Sequence, residues 1–468
     1  MLIMKFGGTS LGDAARLDHV AGLVQEALQR DRQLVAVVSA MSGVTNALFA
    51  LARQAAHSTD DGMELRRQLA ALADRHRQTA HALLHTPQEL AAVEGALAGH
   101  LEELERYCQS IAVLGEASLR TLDRIAGTGE RLSSLLLAAA LRERGVSAKA
   151  VPATELIVTD AHFGAAQPDL AASRPRVRER LLPLIEADTV PVVTGYIGAT
   201  AGGVPTTLGR GGSDFSAAIL GACLDADQVW IWSDVDGILT ADPNIVPEAQ
   251  TLAELSYADA ATLAAFGAEV LHPKTIAPLV ERGIPLRLLN TFRPAHPGTW
   301  IVRQPAPTAL RPPAIISTRG LRLLGVVGNG EQWTPAVAGR ALSALAAAGV
   351  EVLMFSQSFS ERTLSLLVRE ADCEASLAAL QQEFQDDLRR GGLRRVEPLE
   401  AVGTISVVGA PGGGGAACGP LTFAALGRLG TQVISVSQSA SEYNVSVVVP
   451  EAQVDETVRF IHRELNPA

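Results

Sequence analysis

LIMKFGGTS, residues 2–10, sets a short apolar run, a lysine and a glycine pair directly before Thr9 and Ser10. The run has strand length, Gly7 and Gly8 break it, and a helical pattern follows from about Asp13. Glycines without a Cβ let backbone amides approach phosphate oxygens, the helix amino end adds partial positive charge, and Lys5 supplies a point charge for a transferring phosphoryl group. A plain strand-to-helix turn has the same spacing. Scarcity is what singles out Lys5: of 39 basic residues only three are lysines, Lys5, Lys149 and Lys274. The turn is not a Walker A loop, because no lysine in the chain follows a glycine.

Outward from this turn, the apolar runs LVAVVSA (34–40), VPVVTGYIG (190–198), QVWIWSDV (228–235) and IPLRLLN (284–290) alternate with longer helical patterns. Alternation of this kind predicts a mainly parallel sheet sandwiched by helices, an α/β domain over residues 1–301. The full chain of 468 residues, 47% hydrophobic and 19% charged, is long enough for two or three domains. Residues 51–125 read as helices with polar faces carrying His57, His76, His81, His85 and His100. His81 and His85 are four apart, but no HExxH carboxylate accompanies them, so a solvated helix is expected rather than a metal site. VRQPAPTALRPPA, residues 302–314, carries four prolines and reads as a linker.

Beyond it the chain repeats. A shift of 81 residues lays 325–368 on 406–449 without a gap, aligning Gln357 with Gln438, Ser358 with Ser439 and Glu361 with Glu442. Each copy reads strand, turn, amphipathic helix, strand and hairpin to a third strand. Two copies are too few for a solenoid, so two small α+β modules are expected, 315–398 and 399–468, contiguous or interleaved. Twin polar turns suggest twin ligand sites. TISVVGAPGGGGAACG, residues 404–419, looks like a dinucleotide fingerprint, yet none of its glycine registers satisfies GxGxxG.

Composition excludes several functions. A net charge of −11 without a Lys/Arg cluster argues against nucleic acid or anionic lipid as partner. No apolar run of about 18 residues suggests a membrane span, and the amino terminus lacks a basic leader, so the cytoplasm is expected. Cys108, Cys223, Cys373 and Cys418 lie far apart, as reduced buried thiols do, and no resident metal site is indicated.

Four further motifs carry candidate chemistry. In TTLGRGGSDFSAAIL (206–220) a glycine turn holding Arg210, Gly212, Ser213 and Asp214 enters an apolar helix. Arg210 offers a planar fork for a carboxylate or phosphate, Ser213 can cap the helix, and Asp214 can orient a basic group. WSDVDGILTADPNIVP (232–247) ends a buried strand with aspartates that suit Mg²⁺, a ribose or Asx turns. GTGERLSSLLL (127–137) opens a helix with Glu130, which can meet a substrate ammonium or the helix dipole. SAMSGVTN (39–46) places Ser39, Thr45 and Asn46 in a turn after a strand.

In order, MKFGGTS, SAMSGVTN, GERLSS, GYIGAT, TTLGRGGSD, WSDVDGILTADP and FGAEVLHPKT resemble the aspartate kinases of the amino acid kinase superfamily, over essentially the whole chain. The repeat looks like that family's paired ACT modules, and FSQSFSERTLS and VSQSASEYNVS are most similar to the threonine-sensitive branch fused to homoserine dehydrogenase. The resemblance implies transfer of the ATP γ-phosphoryl group to the β-carboxylate of L-aspartate, giving 4-phospho-L-aspartate, the first step toward lysine, threonine and methionine. It implies that Lys5 neutralises charge on the transferring group and that Asp214 organises that centre. Arg210 and Glu130 would grip the carboxylate and amino group of aspartate, with Thr45 and Ser213 beside them. Gly7, Gly8, Ser10, Gly212, Ser233 and Asp234 would meet ATP, which brings Mg²⁺ with it. Where relatives have FGAKVLHP this chain has Glu269, so Lys274 is expected to supply the second cation. Leu239 and Asn244 replace a tyrosine and an arginine near the nucleotide. Gln357 and Gln438 would contact an amino-acid effector, threonine or lysine, in an ACT-mediated dimer or higher oligomer. Glutamate 5-kinase, a carbamate-type kinase and a catalytically silent amino-acid sensor are the alternatives.

Overall fold

The computed structural model describes residues 1–31, 33–57, 62–265, 271–305, 312–329, 335–358, 360–409, 418–438 and 444–466. They divide into two compact units, the first of residues 1–238, 251–264 and 269–306, the second of 239–250, 265–268 and 307–468.

The first unit opens with β1 (Leu2–Phe6), α1 (Ala14–Arg30), β2 (Leu34–Val38), α2 (Val44–Ala56), α3 (Met63–Leu83), α4 (Pro87–Leu114), α5 (Leu119–Ala126) and α6 (Thr128–Glu143). It continues through β3 (Ala148–Val151), β4 (Val158–Thr159), α7 (Leu170–Glu186), β5 (Val190–Thr194), β6 (Ile197–Thr200), β7 (Pro205–Thr207), α8 (Gly212–Leu224) and β8 (Gln228–Ser233). Beyond these come β9 (Glu254–Ser256), α9 (Tyr257–Ala265), α10 (Pro273–Arg282), β10 (Leu286–Asn290) and β11 (Thr299–Val302). LVAVV of β2 is buried on both faces, as a β-branched run inside a parallel sheet must be. In α1, Leu17, Val20, Ala21 and Val24 are buried at helical spacing, and Asp13 caps the helix by accepting from the Arg16 amide at 2.9 Å.

The main sheet has the order β3-β5-β2-β1-β8-β10-β11-β9. Its strands from β3 to β10 pair in parallel, and β10 with β11 is antiparallel. The chain leaves β1 toward β2 on one side, while β8 runs on to β10 on the other, so the connections diverge beside β1. Such a divergence opens a crevice at the carboxyl edge of the strands. The ladder continues past that edge, where the Ser39 amide donates to the Phe6 carbonyl, Gly195 to Val38 and Gly7 to Trp232. The turns after β1, β2 and β5 are thereby held side by side.

In the helical stretch, His76 departs from the expected polar face. It is fully buried, its Nδ1 lies 2.8 Å from the Leu72 carbonyl, and burial pushes its pKa down. His81 is exposed and lies 2.9 Å from Glu94.

The second unit contains β12 (Ala314–Gly328), α11 (Pro335–Ala347), β13 (Met354–Ser358), β14 (Thr363–Arg369), α12 (Cys373–Glu383), α13 (Gln385–Arg389) and β15 (Leu393–Val408). It ends with α14 (Cys418–Leu429), β16 (Ser435–Gln438), β17 (Asn444–Pro450) and α15 (Val454–Leu465). One six-stranded sheet runs β13-β14-β12-β15-β17-β16. The two long strands serve both halves. Ile315 packs with Ile405, Val407 and Val447, whereas Leu324 and Val326 pack with Leu364, Leu393 and Val396. A register shift between Thr318 and Leu321 bends β12, with Gly320 at φ 66° beside it. The two cores are therefore interleaved, each taking half of β12 and half of β15, and a cut at 398 would pass through a shared strand.

Candidate active site

Nine of the residues singled out from the sequence line one cavity of about 600 Å³: Lys5, Gly8, Ser39, Thr45, Glu130, Arg210, Gly212, Ser213 and Asp214. β1 delivers Lys5, which is 8% exposed and ion-paired with Asp214 in the first turn of α8. Glycine makes the close approaches possible. A Cβ on Gly8 would stand 2.9 Å from the Ala40 carbonyl, one on Gly195 2.7 Å from Ser213 Cβ, and one on Gly129 2.6 Å from Ala40 Cβ. Gly211, in the left-handed region at φ 70°, precedes α8, whose first residues Gly212, Ser213 and Asp214 line the cavity.

Glu130 sits in the first turn of α6 and is 2% exposed. Its Oε1 accepts from the Ala40 amide at 3.1 Å, while its buried Oε2 has no partner among the described residues. Burial pushes its pKa up to about 8, against the opposing pull of the Ala40 amide and of Lys5. Held this way, the Glu130 carboxyl has no ion pair among the described residues. Arg210, by contrast, is exposed and has no ion pair or hydrogen bond among the described residues. The cavity thus offers a buried carboxyl oxygen that can turn anionic, a guanidinium unpaired among the described residues and a neutralised ammonium, the complement of a small amino acid beside a phosphate.

Other expected residues lie elsewhere. Ser10 is fully buried with its hydroxyl 2.7 Å from that of Thr291, and it does not line the cavity. Gly7 flanks Lys5 without lining the cavity. Ser233 and Asp234 close β8 outside the cavity, where the Ser233 hydroxyl accepts from Val235 and the Asp234 carbonyl accepts from Asn290 at 3.3 Å. Lys274 begins α10, capped by His272. The His272 side chain abuts Gly211, and its pKa is lowered by burial first and then by Lys274 and Arg210, so Lys274 stands close to the glycine turn. Glu269 lies outside the described residues. Leu239 and Asn244 belong to the second unit, where Asn244 folds back on Asp242 in an Asx turn at 2.8 Å. Gln357 of β13 buries an Nε2 that has no partner among the described residues, whereas Gln438 of β16 is exposed. Ser439, Glu442 and the glycine run 410–417 lie outside the described residues.

Three contributors were not singled out. Tyr196 and Thr9 line the cavity, and Asp123 ties down two of its walls. GYIG and GGTS already contained the first two, but Asp123 is one acid of 50 and carries no local signal. Among the described residues no group of three His, Cys, Asp or Glu side chains could hold a metal ion, and no helix is long and apolar enough to cross a membrane.

The amino acid kinase family matches residues 1–290, and the ACT domain matches 324–384 and 405–465, keeping the repeat spacing of the sequence. Over 468 residues the chain is 34% identical to the bifunctional aspartokinase/homoserine dehydrogenase 2, chloroplastic, of Arabidopsis thaliana, covering 98% of this chain and 50% of that protein. To the aspartokinase 3, chloroplastic, of the same plant it is 31% identical over 466 residues, covering 98% and 80%. The chain therefore spans about half the length of the bifunctional relatives it matches. The structure is similar to E. coli aspartokinase III in complex with aspartate and ADP, with a TM-score of 0.79, 28% identity and 99% of both chains covered. It is similar to that enzyme in complex with lysine and aspartate as well, with a TM-score of 0.79 and 29% identity over 100% of this chain and 99% of the other.

Proposed function

We propose, from the premise that this chain belongs to the aspartokinases of the amino acid kinase family, that it transfers the γ-phosphoryl group of ATP to the β-carboxylate of L-aspartate. The observation that carries this reading is the convergence on one cavity of the Lys5–Asp214 pair, Arg210 and Glu130. A carboxylate acceptor is ionised at neutral pH, so no general base is required. A β-carboxylate oxygen bonds to the γ-phosphorus as the bond to the β-phosphate bridging oxygen breaks, and ADP leaves with that electron pair. Rate then depends on alignment and on charge. Arg210 forks the α-carboxylate, Glu130 takes the α-ammonium on its unpartnered oxygen, and Thr45 and Ser213 offer hydroxyls to the acceptor. Lys5, kept in place by Asp214, offsets charge on the equatorial oxygens as they pass between donor and acceptor. The glycine turns present backbone amides to the phosphates.

The few carboxylates present suit Mg²⁺ carried on nucleotide phosphates rather than a protein cage. When bound, Mg²⁺ neutralises phosphate charge. The Gln357 Nε2, buried without a partner among the described residues, supports an amino-acid effector at the ACT modules; lysine, bound in the E. coli neighbour, and threonine are the candidates. Edge strands β13 and β16 suit pairing with a second copy. Purified protein with ATP, Mg²⁺ and aspartate, its product trapped as the hydroxamate, tests the activity; no hydroxamate with aspartate, or a preference for glutamate, refutes it.

A further inference from the structure

Asp123, near the end of α5, is 3% exposed and is not among the residues that line this cavity. Three donors converge on its carboxylate. The Gly164 amide lies 3.0 Å from both oxygens, the Thr207 amide 3.0 Å from Oδ2, and the Thr207 hydroxyl 2.7 Å from Oδ1. Burial raises its pKa, and the bonds from Thr207 and Gly164 act against that rise.

Each donor belongs to a wall of the cavity. Gly164 lines it directly, and its carbonyl would stand 3.3 Å from a Cβ on Gly209, so the Gly164 loop and the glycine turn lie against each other. Thr207 ends β7, just before the turn that carries Arg210. Its hydroxyl also sits against the phenol of Tyr196, whose pKa burial raises and Thr207 lowers. Tyr196 lines the cavity at φ 69°, and its carbonyl accepts from Leu208 at 2.9 Å. On the other side of Asp123, α5 runs through Gly127 into α6 and Glu130. One buried carboxylate thus joins the helix that leads to Glu130 with the turn that leads to Arg210.

We propose that Asp123 is a positioning residue that sets the spacing between Arg210 and Glu130, and with it the affinity for aspartate. The inference rests on the activity proposed above. An asparagine keeps only one acceptor oxygen: turned so that its NH2 meets the Thr207 hydroxyl, which can accept, it sets an N–H against the Gly164 amide and leaves both backbone donors to share the other oxygen. The Thr207 hydroxyl matters for the same reason, since valine at 207 removes one bond and serine retains it.

The test measures the full chain by steady-state kinetics and by amide hydrogen exchange. Asp123→Asn is expected to raise the aspartate KM about tenfold, with the ATP KM unchanged within about twofold. Thr207→Val is expected to raise the aspartate KM about threefold, and Thr207→Ser to keep the wild-type value. Exchange should accelerate in segments 160–167 and 205–212 of Asp123→Asn and stay unchanged in β2. An unchanged aspartate KM overturns the proposal, as does an equal rise in both KM values with faster exchange throughout the first unit, the mark of a merely structural role. Wild-type protein inert toward aspartate refutes the activity instead. Exchange then decides Asp123: unchanged rates in the two segments of Asp123→Asn overturn its positioning role.

Discussion

Binding of aspartate should tighten as pH rises, and Glu130 is the reason. A substrate ammonium needs this side chain ionised, yet burial holds its pKa up to about 8 in the free protein. With that value the ionised fraction climbs from about 9% at pH 7 to about 76% at pH 8.5, so the aspartate KM should fall about eightfold over that interval. Glu130→Gln keeps the shape, removes the charge and abolishes the pH dependence. It should raise the aspartate KM at pH 8.5 by about 10- to 100-fold, the usual cost of one charged hydrogen bond. Stability moves the other way. The unfolded chain releases this proton near its ordinary value of 4.5 and the folded chain holds it to about 8, so the folded state loses about 1.4 kcal/mol per pH unit across that window. Near pH 7 the accumulated loss is about 3 kcal/mol, which Glu130→Gln should recover as a higher unfolding midpoint. Hydroxamate assays from pH 6.5 to 8.5, with ATP saturating, provide the KM values. A flat aspartate KM in the wild type, or a slope that persists in Glu130→Gln, would refute the assignment.

Other substitutions separate the remaining roles. Lys5→Met should lower kcat by about 10²- to 10³-fold and leave the aspartate KM within about threefold, because the ammonium acts on the transferring group; full turnover would show the opening turn misread. Arg210→Ala should raise the aspartate KM about 30-fold without moving the thermal unfolding midpoint, since Arg210 is exposed and unpaired among the described residues. Gly211→Ala should cost about 1–3 kcal/mol and reduce kcat/KM, because its left-handed backbone and the 2.7 Å approach of His272 both reject a Cβ; calorimetry alongside kinetics checks this.

What the amino-acid order determined is local. The glycine pair after an apolar run and the glycine turn before α8 depend on neighbours a few residues away and were legible from their own stretches, whereas the cap expected of Ser213 falls to Gly211, without a side-chain hydrogen bond, and Ser213 lies inside the helix. So was the second half of the chain as a repeat, because the aligned residues recur at constant spacing. Tertiary structure decided who meets whom. Ser10 reads as a phosphate contact until Thr291, 281 residues on, takes its hydroxyl. Asp123 reads as any surface acid until Thr207, 84 residues on, donates to it in the interior. A contiguous pair of modules fits the repeat equally well, and the bend at Gly320 shares β12 between both cores instead. Residues 239–250 follow a strand of the first unit but pack with the second, where His462 lies 2.9 Å from Thr240 and Arg459 donates to the Ile245 carbonyl. The raised pKa of Glu130 belongs to the same class, since desolvation is set by what surrounds a group in space and no local pattern of residues encodes it.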